Sequence, residues 1–136
     1  MILVLDTSAA VEIVLHRDSA QSLAEIVRGA DWVIAPTLFI AEVNNVFWKY
    51  QKFADYPYPD CERDIEQTIA LPDQYINEID LYREAFKLGC TLDHPIYDML
   101  YVVLARRNSA RLLTMDKKLI IAAQKAGVES GEYQKD

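Results

Sequence analysis

Four carboxylates sit at positions where packing offers them no partner: Asp6, Glu42, Asp98 and Asp116. Asp6 closes the apolar run Ile2-Leu3-Val4-Leu5, and Asp116 follows Leu112-Leu113-Thr114-Met115. Glu42 lies in a stretch rich in Leu, Phe, Ile and Val, and Asp98 is flanked by Ile96, Tyr97, Met99 and Leu100. A carboxylate taken out of water costs free energy unless it is paired or bound to a cation. Two of them about 5 Å apart repel by roughly 3 kcal/mol at an effective dielectric near 20. With few cations beside them, the four point to a divalent metal. Hard Mg²⁺ and Mn²⁺ prefer carboxylate oxygen and water, and such an ion can polarise a phosphoryl oxygen and activate water against a phosphodiester.

Each acid also has a plainer reading. Asp6 and Asp116 can cap the helices they precede. Glu42 can pair with a lysine such as Lys49, and Asp98 can hydrogen-bond a neighbouring turn. One metal site, however, would explain all four at once. Asp93 and His94 read as loop and cap residues, His16 as a surface histidine, and Trp32 and Trp48 as core or interface. Tyr56 and Tyr58 suit loop packing better than stacking on bases.

The elements that would position these residues can be read from periodicity. Residues 2–5 form a short buried strand, with Thr7 or Ser8 capping the helix that follows. Asp18 or Ser19 starts a second helix that Gly29 ends. Residues 32–35 are a second strand, and Pro36-Thr37 opens a long helix to about Phe53. Tyr56-Pro57-Tyr58-Pro59 breaks it. A helix spans about 60–71, and Gln74-Tyr75-Ile76 is a short strand. Asp80 caps a helix ending at Gly89, and Pro95 occupies the first turn of another, running to about Asn108. Residues 111–114 are the last strand, and Asp116 caps a final helix that stops at Gly127. Short apolar strands alternating with helices imply an α/β fold, a parallel sheet covered on both faces. Sites in such folds gather at the carboxyl ends of strands, where Asp6 and Asp116 both fall.

At 136 residues and 51% apolar composition, the chain suits one domain spanning 1–136, with about 128–136 a polar, loosely ordered tail. No apolar run approaches the roughly 20 residues that span a bilayer, and no signal-peptide pattern opens the chain. Cys61 and Cys90 show neither metal-ligand nor disulfide spacing, so free thiols in a reducing cytoplasm are expected. The net charge of −7 argues mildly against general nucleic-acid binding. It is uneven: residues 55–84 hold nine acids against Arg63 and Arg83, whereas 106–125 hold six of the fourteen basic residues and one acid, Asp116. Arg106, Arg107, Arg111 and Lys117 could therefore form a basic rim that holds RNA phosphates. The alternative is a solvated helix face.

Four segments carry a resemblance: Leu5-Asp6-Thr7-Ser8-Ala9, Pro36 to Val43, His94 to Tyr101, and Leu113 to Leu119. In this order and spacing the chain resembles PIN-domain ribonucleases of the VapC-type toxin branch of toxin–antitoxin modules. The resemblance implies a three-layer αβα fold with a central parallel sheet of four to five strands. It also implies Mg²⁺- or Mn²⁺-dependent cleavage of single-stranded RNA to a 5′-phosphate and a 3′-hydroxyl. In that reading Asp6 and Asp98 hold the metal directly, Asp116 holds it through water or holds a second ion, and Glu42 orients the attacking water. Thr7, Ser8, Asn45 and Thr114 would hydrogen-bond the ligands. The implied partners are a cognate antitoxin protein and a second copy, as a homodimer or a hetero-oligomer with the antitoxin. A catalytically silent RNA-binding or scaffolding domain is the competing function. A phosphotransferase with Asp6 as nucleophile is disfavoured, because Ser8 stands where a second Asp is usual.

Overall fold

The computed structural model describes residues 1–131. Four short strands form one parallel sheet: β1 (Ile2–Leu5), β2 (Trp32–Pro36), β3 (Gln74–Ile76) and β4 (Arg111–Leu113). The spatial order is β3-β2-β1-β4, with Val4 opposite Ile34 on one side and Leu112 on the other. Parallel neighbours need crossovers, and seven helices supply them: α1 (Thr7–Val14), α2 (Ala20–Gly29), α3 (Leu38–Ala54), α4 (Tyr58–Ile69), α5 (Tyr82–Leu92), α6 (Ile96–Arg107) and α7 (Lys117–Lys125). Helices on both faces make the three-layer α/β arrangement. Leu3, Val4, Leu5, Leu112 and Leu113 are fully buried, because both sides of the sheet are covered.

The centre of the packing is α6. Its stretch from Met99 to Ala105 is buried without interruption, so it is apolar all round rather than striped. It packs on β1, β2 and β4, and α5 packs against it. Gly89 allows that approach: a Cβ there would stand 2.4 Å from Ile96 Cδ1 and 2.9 Å from the His94 carbonyl oxygen. Gly89 is therefore a packing glycine inside α5, not its end; the helix runs on to Leu92, and Asp93, left-handed at φ 52°, closes it.

Other boundaries shift for similar local reasons. Asp6 itself caps α1, accepting from the Ala9 amide, so the cap is neither Thr7 nor Ser8. Asp80 lies in a 3-10 turn, Glu78–Asp80, and Leu81 leads into α5. Pro95 precedes α6 rather than occupying its first turn. Asp116 caps α7 as expected, accepting from the Lys118 and Leu119 amides.

The expected loose tail is corrected over its first residues. Leu112 N donates to the Glu129 carbonyl at 2.9 Å, and Val128 and Ser130 are buried. The free edge of β4 is thus occupied by the chain itself. The remainder of the expected tail, 132–136, lies outside the described residues. Cys61 is buried and Cys90 exposed, both as free thiols. Trp32 packs against the core, whereas Trp48 is exposed. Among the described residues, no helix is long and apolar enough to cross a membrane.

Candidate active site

The four acids come from four elements and line one cavity of about 480 Å³ at the carboxyl end of the sheet. Asp6 leaves β1 there, and its amide donates to the Leu113 carbonyl where β4 ends. Glu42 projects from α3 and Asp98 from the first turn of α6. Asp116 stands at the start of α7, where the amide dipoles favour negative charge.

Asp6 is the most enclosed, 6% exposed. It accepts hydrogen bonds from Thr114 Oγ1 at 2.5 Å, Ser8 Oγ at 2.7 Å and the Ala9 amide at 3.0 Å. Burial pushes its carboxyl up to about 6; these three donors pull against that shift, and the nearby Glu42 charge adds to it. Ser8 and Thr114 also brace the loop after β4: Ser8 Oγ accepts from the Met115 amide, and Thr114 Oγ1 from that of Asp116. Two hydroxyls thereby tie the end of β4 to the start of α1.

Glu42 is fixed by two other hydroxyls. Tyr101 donates to Oε1 at 2.5 Å and Thr7 Oγ1 to the same oxygen at 3.3 Å. Burial raises the Glu42 carboxyl, the two donors oppose the shift, and the charge of Asp98 raises it further. Tyr101 is buried beside Glu42, and burial together with that charge pushes its phenol far up, so it stays a donor. Asp98 Oδ2 lies 2.7 Å from His94 Nε2.

The plainer readings of the acids are therefore partly true. Asp6 and Asp116 do cap helices, and Asp98 does bond a residue one turn back, His94. Glu42 bonds Thr7 and Tyr101, not Lys49. Yet the described hydrogen bonds engage a single oxygen in each of Glu42, Asp98 and Asp116. The other oxygen is left as a hard donor, and Asp6 keeps a spare lone pair on Oδ2, whose one described donor is Thr114, while Oδ1 already accepts from Ser8 and Ala9. This donor set fits Mg²⁺ or Mn²⁺ by type. It is not gathered into a finished cage: among the described residues, no three His, Cys, Asp or Glu side chains form a group that could hold a metal ion. Each carboxylate is tied to a different donor, which keeps mutually repelling charges apart.

Of the expected supporting residues, Thr7, Ser8 and Thr114 bond the acids, and Asn45 lines the cavity. Most of the expected basic rim is not at the site. Arg106 and Arg107 lie in the last turn of α6, at the other end of the helix from Asp98, and both pair with Glu84. Arg111 opens β4, at the opposite end of that strand from Asp6. Only Lys117 stands beside an acid, next to Asp116. The sequence reading missed Tyr101, His94 and Arg17. Arg17 lines the cavity and donates to the Tyr50 hydroxyl. The available signal was the i,i+4 spacing of His94 and Asp98.

A family model for the PIN domain matches residues 3–125. The chain belongs to the PIN-domain family. PIN domains are in general nucleases. No curated protein sequence matches this one. Two solved structures share the fold: PAE2754 from Pyrobaculum aerophilum and VapBC2 from Rickettsia felis bound to a DNA fragment from its promoter. The first matches with a TM-score of 0.76 and 16% identity, over 96% of this chain and 83% of the other. The second matches with a TM-score of 0.70 and 17% identity, over 98% of this PIN domain and 100% of the other chain. At these identities the likeness concerns the fold alone.

Proposed function

We propose that this PIN domain is a divalent-metal-dependent endoribonuclease that cleaves single-stranded RNA and acts as the toxin of a toxin–antitoxin pair. One observation carries the catalytic part: acids from four separate elements line a single cavity in a PIN fold. The toxin part draws support from the VapBC2 neighbour, a named toxin–antitoxin complex.

Asp6 and Asp98 would hold Mg²⁺ or Mn²⁺ directly, with Asp116 acting through water or at a second ion. When bound, such a cation supplies Lewis acidity toward a phosphoryl oxygen and lowers the pKa of water. The chain's own residues do the rest. Glu42, held on one oxygen by Tyr101 and Thr7, turns its other oxygen to orient a water and accept its proton. Ser8 and Thr114 fix Asp6, and His94 fixes Asp98. Attack of that water on phosphorus, with loss of the 3′-oxygen, leaves a 5′-phosphate and a 3′-hydroxyl.

The decisive assay incubates purified chain with labelled single-stranded RNA and Mn²⁺. Cleavage should appear, stop with chelator and fall at least about 100-fold in Asp6→Asn, the loss expected when several kcal/mol of charge stabilisation disappear. Undiminished cleavage by Asp6→Asn would remove Asp6 from the site. A silent RNA-binding domain is favoured by one observation, that no preformed three-donor group is found among the described residues. Calorimetric titration separates the two, since a silent domain takes up no Mn²⁺. An antitoxin partner, self-association and a cytoplasmic location belong to the toxin reading. That reading expects arrested growth on expression of the chain and relief on co-expression with its antitoxin.

A further inference from the structure

The acidic cavity does not end at its carboxylates. A second cavity, about 280 Å³, adjoins it and shares two lining residues, Arg17 and Tyr50. Its other walls are Leu15, Ala54 and Tyr56. We propose that this second cavity is a nucleotide subsite: Arg17 takes a backbone phosphate next to the scissile one, and the apolar pocket behind it takes an unstacked base. The proposal rests on the nuclease reading above and adds to it the residues that seat the strand.

The electrostatics require a cation near this place. An RNA strand brings phosphates to a cavity walled by Asp6, Glu42, Asp98 and Asp116, with Glu12 on its rim. Arg17 is the one Arg or Lys among the described residues that line it. Three of the other arginines are already paired, Arg63 with Asp60 and Asp64, and Arg106 and Arg107 with Glu84. Arg17 forms no ion pair with any described residue. Its guanidinium donates to the Tyr50 hydroxyl and lies 5.3 Å from that ring's centroid. A guanidinium offers five donors, so one is spent on placement and the rest remain for an anion. Placement begins in the backbone: His16 turns left-handed at φ 53°, and the Arg17 amide donates back to the Glu12 carbonyl.

The pocket behind Arg17 is equally fixed. The Tyr56 amide donates to the Tyr50 carbonyl at 3.2 Å, and its hydroxyl bonds Asp64. The Tyr50 and Tyr56 rings meet edge to face, 6.4 Å between centroids. The pocket is smaller than the roughly 300–1,000 Å³ clefts that hold drug-sized ligands, which suits one base. Unstacked bases of single strands are commonly held on aromatic faces, while phosphates go to Arg. Order along the surface matches order along a nucleotide: reacting phosphodiester at the acids, neighbouring phosphate at Arg17, base beyond.

The test uses a fluorescent ten-nucleotide single-stranded RNA, with binding followed by anisotropy in chelator and cleavage followed in Mn²⁺. Arg17→Gln should weaken binding and raise KM about tenfold, and should lower the slope of log affinity against log salt by about 0.7, one phosphate contact on a single strand. Ala54→Trp, which fills the apolar pocket from an exposed helix end, should weaken binding about tenfold with the salt slope intact. Calorimetry with Mn²⁺ should give wild-type affinity for both. Wild-type Kd and salt slope in both variants, beside normal wild-type cleavage, would overturn the subsite and leave the nuclease standing. A change confined to Mn²⁺ affinity would also overturn it, showing Arg17 to be a screening charge. A wild-type chain that neither binds nor cuts the probe would overturn both readings.

Discussion

Asp6 shows how much a single side chain can reveal and how much it conceals. Its carboxyl, pushed up to about 6 by burial, holds a proton in the folded chain over a pH range where the unfolded chain, near 3.8, has lost it. The folded state binds more protons at Asp6 between those values, so the contribution of this carboxyl to the stability of the metal-free protein falls as pH rises through them. At about 1.4 kcal/mol per unit, the interval gives about 3 kcal/mol. Urea unfolding at pH 4 and pH 7 in chelator should show that loss, and Asp6→Asn should flatten this part of the profile. Tyr101→Phe keeps the ring and removes one of two donors to Glu42. It should lower kcat about 10–100-fold, as is usual when a partner of an active-site ligand is lost; unchanged kcat would deny Glu42 its orienting role. The acids were legible in the sequence because a carboxylate inside an apolar run is anomalous wherever it folds. Tyr101 was not, since a tyrosine in an apolar helix looks like core, and Arg17 meets Tyr50 only through packing 33 residues away in sequence.

At the scale of elements, the alternation of short apolar runs with helices was enough to give a parallel sheet, because both periods are written locally. Ends were less legible. Gly89 carries the usual mark of a helix stop, yet α5 passes through it; the small residue there answers crowding by Ile96 and the His94 carbonyl, which local sequence does not show. Gly89→Ala should therefore cost about 1–3 kcal/mol through overpacking. The His94 carbonyl cannot yield without moving its own backbone, so the variant should also disturb the contact with Asp98. Denaturant midpoints check the first effect and Mn²⁺ titration the second. The basic rim failed as a reading for a similar reason. Counting charges from 106 to 125 joins Arg106, Arg107 and Arg111, which lie at the end of the fold away from the acids, with Lys117, which lies beside Asp116, and Glu84, from another helix, pairs with two of them.

For the whole molecule, the net charge of −7 and the acids that line the cavity have one shared consequence. A ligand that binds only the folded chain stabilises it by mass action, about 2.7 kcal/mol at a hundredfold excess over Kd. Mn²⁺ should raise the thermal midpoint on this basis, and Asp6→Asn should abolish most of the gain. The same fold shape recurs in proteins only 16–17% identical to this one. The sheet and helices are thus a frame that many sequences satisfy, and the proposed chemistry depends on a few side chains at its carboxyl edge. The most direct measurement is anomalous diffraction from crystals soaked in manganese. A peak within about 2.2 Å of Asp6 and Asp98 oxygens, with Asp116 and Glu42 facing it, is the expected result. A cavity without a peak at saturating manganese, or a peak bound elsewhere on the surface, would contradict the metal site on which the catalytic reading stands.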